Sequence, residues 1–270
     1  METIPKVSVL MPAYNAEKYI REAVESILKQ TFSDFEFIII DDCSTDDTWG
    51  IIQEYSKKDL RITVAKNERN LGISATRNKL ISLSMAKYVA WQDADDISLP
   101  YRIESQYQFM EHNLQVGISG GSLEFFNEKG LLSVRKYATD DELLRKSLFK
   151  YSPVAQPAAM VRTSVLREVG GFDSTLPQAE DLDLSLRIGT VSKFGNLGKV
   201  LIRYRLSSNS ITMSKMRENI KSTLIVRKRA VKLYGYNMTL PDRIAYVVTG
   251  LFQYIPTRLI YFVFNTFRNS

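Results

Sequence analysis

A chain of 270 residues with 44% hydrophobic and 24% charged content has the balance of an ordinary globular protein, enough for one large domain or one domain with an appendage. A single cysteine, Cys43, excludes an internal disulfide and fits a reducing compartment, and a single histidine, His112, effectively excludes a His/Cys zinc site. The net charge of +6 is uneven: residues 213–270 hold ten Lys/Arg against two acids, a balance of +8, so the first 212 residues carry −2 and an anionic partner surface belongs to the tail.

The polar start Met1-Glu2-Thr3-Ile4-Pro5-Lys6 predicts no signal peptide and leads into a buried strand over 7–11. Ile20, Ala23, Val24, Ile27 and Leu28 then share one helical face. A second strand over 35–40 precedes a helix marked by Thr48, Ile51, Ile52 and Tyr55; a third strand covers 61–65, a helix 74–86 and a fourth strand 88–92. That β-α-β-α order predicts a parallel sheet with right-handed crossovers. Beyond it come a helix over 100–114, with His112 a solvated residue, and a strand over 116–127, where Gly120-Gly121 marks a bulge or close approach. A helix over 140–150, a strand over 158–162, a Gly170-Gly171-Phe172-Asp173 turn, a helix over 180–188 and a late strand over 199–204 follow.

From Met213 the chain changes character: a Lys/Arg-studded helical stretch ends near Gly235, and 244–267 is apolar and rich in Tyr and Phe. Pro256 and Arg258 interrupt it, so neither side reaches the roughly 20 residues that span a bilayer. The expectation is a body, 1–212, and a basic, amphipathic C-terminal helical region, 213–270, that lies on an anionic membrane surface rather than on nucleic acid. The competing reading is a C-terminal helix packed on the core.

Carboxylates gather at the ends of the apolar runs. The second strand ends in Asp41-Asp42-Cys43-Ser44-Thr45-Asp46, the fourth in Asp93-Ala94-Asp95-Asp96, and Glu180-Asp181-Leu182-Asp183 opens a helix. Ligands of open α/β sheets bind at the carboxyl ends of the strands. Acids crowded there repel one another unless a hard divalent cation joins them, with a phosphorylated ligand. Asp42 can accept the ring N–H of a base; Thr45 and Asp46 suit helix capping, and Asp96 suits either a cap or the site. Arg77 can reach a diphosphate or make a surface ion pair, and Glu180-Asp181 can supply a general base or a cap.

Taken in series, Val7-Ser8-Val9-Leu10-Met11-Pro12-Ala13-Tyr14-Asn15, Ile39-Ile40-Asp41-Asp42, Asn70-Leu71-Gly72 with Ala75-Thr76-Arg77-Asn78, Asp93-Ala94-Asp95-Asp96, Gly170-Gly171-Phe172-Asp173 and Glu180-Asp181-Leu182-Asp183-Leu184 with Arg187 closely resemble family 2 glycosyltransferases over roughly residues 5–212. The resemblance implies an α/β GT-A fold, a nucleotide-sugar donor, an inverting mechanism and Mn2+ or Mg2+; general frequency alone makes UDP-galactose or UDP-glucose the expected UDP-sugar. By the same analogy Pro12, Ala13 and Tyr14 line the nucleotide, Asp42 meets the uracil, Arg77 lies near the diphosphate, Asp93 with Ala94 faces the ribose or sugar, Asp95 holds the metal and Asp181 is the base. Cys43 departs from the family's usual glycine, and Ser207 stands where many members carry a histidine in a Tyr-Arg-x-His pattern.

The Gln-x-x-Arg-Trp motif of processive synthases is absent, the only tryptophans being Trp49 and Trp91, so transfer of a single sugar is expected. The tail resembles those of bacterial enzymes that extend lipid-linked O-antigen or capsule units. That implies an undecaprenyl-diphosphate-linked glycan acceptor at the cytoplasmic membrane face. A nucleotidyltransferase would carry a glycine-rich loop after the first strand, where Pro12-Ala13-Tyr14-Asn15 stands. The pairing of Asp95 with Asp181 argues against a non-catalytic binding protein, and the missing G-x-G-x-x-G against a dinucleotide oxidoreductase.

Overall fold

The computed structural model describes residues 4–206 and 216–254. Three apolar runs, β1 (Val7–Ala13), β2 (Phe35–Asp41) and β4 (Tyr88–Trp91), are buried almost throughout, as strands covered on both faces must be. Side chains alternate between two cores. Val7, Val9, Met11, Phe37, Ile39, Tyr88 and Ala90 face one, and Leu10, Ile38, Ile40, Val89 and Trp91 face the other.

The first core is closed by α1 (Ile20–Leu28), α2 (Thr48–Lys58) and α4 (Arg102–His112), which bring Ile20, Ile52 and Ile103. The second is closed by α3 (Ile73–Leu83), α6 (Thr163–Glu168) and α7 (Glu180–Val191). His112 is exposed, as expected.

With β3 (Ile62–Lys66), β5 (Ile97–Ser98), β6 (Val116–Asn127), β8 (Met160–Arg162) and β9 (Lys193–Arg205), the described strands form a sheet of order β3-β2-β1-β4-β8-β6-β9-β5, to which β7 (Gly130–Arg135) adds by pairing with β6. Strands β3, β2, β1 and β4 are mutually parallel, β8 is antiparallel to both neighbours, and β6 and β9 are parallel. The chain travels outward from β1 to β3 and returns on the far side of β1 to make β4. The strand order therefore reverses beside β1, and a crevice opens at the carboxyl ends of β1, β2 and β4.

The register of β6 on β9 shifts beside Gly121, where an added Cβ would come 2.6 Å from Leu201. The close approach expected at the Gly120-Gly121 pair is there. Beyond the body, α8 (Met216–Leu233) packs on the second core through fully buried Val226 and Ala230, and α9 (Leu240–Leu251) starts from a Thr239/Asp242 capping box.

Candidate active site

The loops that follow β1 and β2 interlock. Asn15, at φ 48°, donates its backbone N–H to the Ser44 hydroxyl at 2.9 Å, and its Oδ1 accepts from the Thr45 N–H at 2.9 Å. Asp46 accepts from the Thr48 N–H at 3.0 Å, but the residue at the helix N-cap is Asp47, which makes no side-chain capping bond, and Thr45 serves the loop contact; neither Thr45 nor Asp46 is the N-cap expected. Cys43 adopts φ 62°, a left-handed conformation that glycine takes without strain, which gives a backbone reason for the family's usual residue. Pro12 and Ala13 are buried at the end of β1, and Tyr14 stands 49% exposed over the crevice mouth.

Asp42 is buried, and its carboxylate accepts from Asn67 Nδ2 at 2.8 Å, the Leu71 N–H at 2.9 Å and the Gly72 N–H at 2.9 Å. It therefore fixes the loop that launches α3, with Gly72 at φ 83° making the turn. One turn into α3, Arg77 is buried rather than a surface residue. Its guanidinium donates to Glu180 Oε1 at 3.0 Å and Asp93 Oδ1 at 3.4 Å, and its carbon lies 5.7 Å from the Trp91 ring centroid and 5.2 Å from that of Phe172. A single cation thus ties the Asp93 loop to the start of α7.

The 93–96 loop rests on a buried polar network. Gln92 donates to the Asp93 and Asp96 carbonyls at 2.9 Å each. Arg102, fully buried, donates to the Trp91 carbonyl at 2.6 Å and Ser98 Oγ at 2.8 Å. Burial pushes its guanidinium down to about 9, against the pull of Asp93 and Asp96. Arg205 donates its backbone N–H to Asp96 Oδ1 and its Nε to the Asp95 carbonyl, both at 2.9 Å. Asp96 thus serves the loop rather than a helix cap.

The Asp95 carboxyl is pushed up to about 6, first by burial and then by the Asp93 charge, and Asp96 Oδ2 is buried with no hydrogen-bond partner among the described residues. Hard carboxylate oxygens under mutual repulsion, with an orphan acceptor beside them, fit a Mn2+ or Mg2+ ion completed by ligand phosphates. No cluster of three or more acidic, His or Cys ligands preforms a cage among the described residues. Such ions commonly use one or two carboxylates plus phosphates.

Asp181 opens α7, after Ala179 at φ 61°. A left-handed residue with a Cβ costs roughly 1–2 kcal/mol, strain that sets the direction of the helix start. Asp181 Oδ1 accepts only the Leu182 N–H, at 2.8 Å, among the hydrogen bonds of the described residues. Its carboxyl is pushed up to about 6, chiefly by burial and then by Glu180. Behind it, fully buried Asp183 accepts from Arg187 Nε and the Tyr234 hydroxyl, each at 2.8 Å, while Arg187 also grips the Gly171 carbonyl at 2.8 Å. Gly171, at φ 68°, sits where a Cβ would come 2.6 Å from Asn78 Oδ1.

The structure thus joins Asp93, Arg77 and Glu180-Asp181 into one centre, with Asp95 beside Asp93. Asp42, Pro12, Ala13 and Tyr14 lie at the neighbouring strand ends. Sequence reasoning missed Arg102 and Arg205, whose partners lie elsewhere in the chain. Ser207 lies outside the described residues.

The family model for glycosyl transferase family 2 matches residues 8–170. An uncharacterized glycosyltransferase of Methanocaldococcus jannaschii is 37% identical over 239 residues, covering 86% of this chain and 77% of that protein. The Escherichia coli protein WfaP, described as a UDP-Glc:alpha-D-GlcNAc-diphosphoundecaprenol beta-1,3-glucosyltransferase, is 29% identical over 251 residues, covering 92% and 95%. The fold is shared with S. aureus TarS (TM-score 0.68, 21% identity, 92% of this chain and 43% of that one). A TarS fragment solved with UDP-GlcNAc gives TM-score 0.64 at 24% identity, covering 82% and 66%. A Pyrobaculum calidifontis mannosyltransferase solved with GDP-Man and Mn2+ gives TM-score 0.66 at 16% identity, covering 95% and 72%. The chain belongs to glycosyl transferase family 2, with the GT-A α/β architecture, and is a glycosyltransferase.

Proposed function

We propose that this glycosyltransferase moves one sugar, glucose or galactose, from a UDP-sugar to a lipid-linked diphosphate glycan with inversion at the anomeric carbon. The observation that supports this reading is the Asp93–Arg77–Glu180 bridge, which ties the residue before Asp181 to the Asp93-Ala94-Asp95 loop. The UDP-GlcNAc complex of TarS and the substrates in the description of WfaP support the donor and acceptor classes.

Tyr14, Pro12, Ala13 and Asp42 line the nucleotide. Asp93 with Ala94 faces the ribose or sugar, and Arg77 neutralises charge near the diphosphate. Held by Asp95, Mn2+ or Mg2+ would supply Lewis-acid stabilisation of the departing diphosphate. Asp181 accepts the proton of the acceptor hydroxyl as its oxygen bonds to the anomeric carbon. The bond from that carbon to the diphosphate breaks on the opposite face, and the electron pair leaves with UDP. A carboxylate pushed up to about 6 is a stronger base than an ordinary aspartate and is still ionised at neutral pH.

The C-terminal region, residues 213–270, docks the enzyme on the inner face of the membrane, where a lipid-linked acceptor would be met. Leu240, Ile244, Val247, Val248 and Leu251 line one exposed stripe of α9, and no described helix is long and apolar enough to cross a bilayer. The part of the aromatic run over 255–267 lies outside the described residues. A screen of nucleotide-sugars for nucleotide release by purified protein in Mn2+ tests the reading. UDP-glucose or UDP-galactose should be turned over only when acceptor is present; preference for a GDP- or dTDP-sugar would contradict it.

A further inference from the structure

The reaction as derived leaves the β6–β7 hairpin without a task. Strand β9 lines one edge of β6 through most of its length. On the other edge β8 pairs with Ile118 and Ser119, and β7 with 123–127. Because β8 in turn pairs with β4, β7 stands above the end of β4 that carries Asp93 and Asp95. Every residue of β7 is exposed, with Leu131, Leu132 and Val134 at 59%, 50% and 43%. An apolar edge of this kind invites a partner.

At its end the Arg135 guanidinium carbon lies 4.9 Å from the Tyr137 ring centroid and 5.6 Å from that of Tyr151. Arg135 has no carboxylate within ion-pair distance among the described residues, although the crevice beside it is rich in acids. Ring contacts hold the charge without using its N–H donors.

The two rings are fixed to the catalytic frame. Asn196 Nδ2 donates to the Ala138 carbonyl at 3.0 Å and the Pro153 carbonyl at 2.9 Å, binding the two ring-bearing segments together. Arg227 donates to the Lys150 carbonyl at 3.1 Å, and the Ser152 hydroxyl lies 3.5 Å from that of Ser185 on α7. Burial holds the Tyr137 hydroxyl above its ordinary range; Arg135 opposes that and the Asp181 charge adds to it. The cluster is therefore a neighbour of Asp181, tied through Ser152 to the helix that Asp181 begins.

We propose that Arg135, Tyr137 and Tyr151 form the acceptor subsite, with the guanidinium on a phosphate joined to the sugar that receives the transfer. The rings stack on the apolar face of that sugar. Leu131, Leu132 and Val134 lie along the lipid that the phosphate carries. A planar fork of N–H donors with no hydrogen-bond partner among the described residues matches phosphate oxygens in pairs. The assignment rests on the lipid-diphosphate reading given above.

The test compares GlcNAc α-linked to a diphosphate bearing a short alkyl chain with the matched alkyl glycoside that lacks phosphate. Wild-type protein should prefer the diphosphate acceptor. Arg135→Gln should raise KM for it by roughly tenfold to a hundredfold, the loss expected for a charged hydrogen-bonded pair. KM for the phosphate-free glycoside and for the UDP-sugar should stay within about twofold, which also shows that the variant is folded. Arg135→Lys should recover part of the loss. Should Arg135→Gln keep the full diphosphate preference, or lose both acceptors equally, the subsite is wrong while the lipid-diphosphate reading stands. A wild-type enzyme indifferent to the diphosphate overturns both.

Discussion

Asp181 combines two properties a base requires: a carboxyl pushed up to about 6 and few competing hydrogen bonds. Protonation silences a base, so kcat/KM should hold level above about pH 6 and fall as pH drops through that value. Asp181→Asn keeps the shape without accepting a proton; it should lower kcat by roughly 10²–10⁴ and leave UDP affinity near that of wild type. A collapse of UDP affinity with high residual turnover would make Asp181 a donor-site residue. Asp95→Ala, or chelation of the wild type, should reduce transfer by orders of magnitude, since leaving-group stabilisation is worth several kcal/mol; full activity in chelator would refute the metal assignment. Cys43 offers a stability test. Cys43→Gly removes a left-handed side-chain clash at φ 62° and should stabilise the fold by up to about 1 kcal/mol in denaturant titration.

At the scale of elements, the helix that presents Asp181 is held from behind by the C-terminal region. Tyr234 bonds Asp183, Arg229 pairs with Asp173 at 2.6 Å, and the Tyr236 hydroxyl donates to the Leu186 carbonyl at 2.9 Å. Tyr234→Phe should cost about 1 kcal/mol by denaturation, the usual worth of a buried hydrogen bond, and should lower kcat more than it raises donor KM. An unchanged kcat in a measurably destabilised variant would confine the Tyr234–Asp183 contact to a structural role. The elements that position this site were legible because β1, β2 and β4 are predominantly apolar runs and α1 keeps one apolar face. Strand β7 gave no signal: both of its faces are exposed, so no alternation marks it. Strand β9 begins at Lys193 rather than 199 because Gly195, Asn196 and Gly198 break its apolar pattern. Arg102 and Arg205 were illegible as supports of the 93–96 loop, because a buried charge takes its meaning from partners distant in sequence. The acid clusters were readable, yet the burial of Arg77 that joins two of them was not.

For the whole molecule, the proposed partition at 212/213 does not separate two cores, since Val226 and Ala230 of α8 belong to the second core. The membrane contact proposed above assigns α9 and the basic residues around it to the surface, each basic residue worth about 1 kcal/mol near an anionic membrane and weakened by salt. Val247 and Leu251 are 61% and 56% exposed, so Val247→Glu with Leu251→Glu should spare the fold. The double variant should lose flotation with anionic vesicles and keep transfer to a water-soluble acceptor; vesicle binding equal to wild type would return α9 to a packing role. The central claim is inverting transfer with Asp181 as base, and the most direct measurement is proton NMR of the glycosidic linkage made by the full-length enzyme from an α-linked UDP-sugar in Mn2+. The account predicts a β-linked product, while an α-linked product would contradict it.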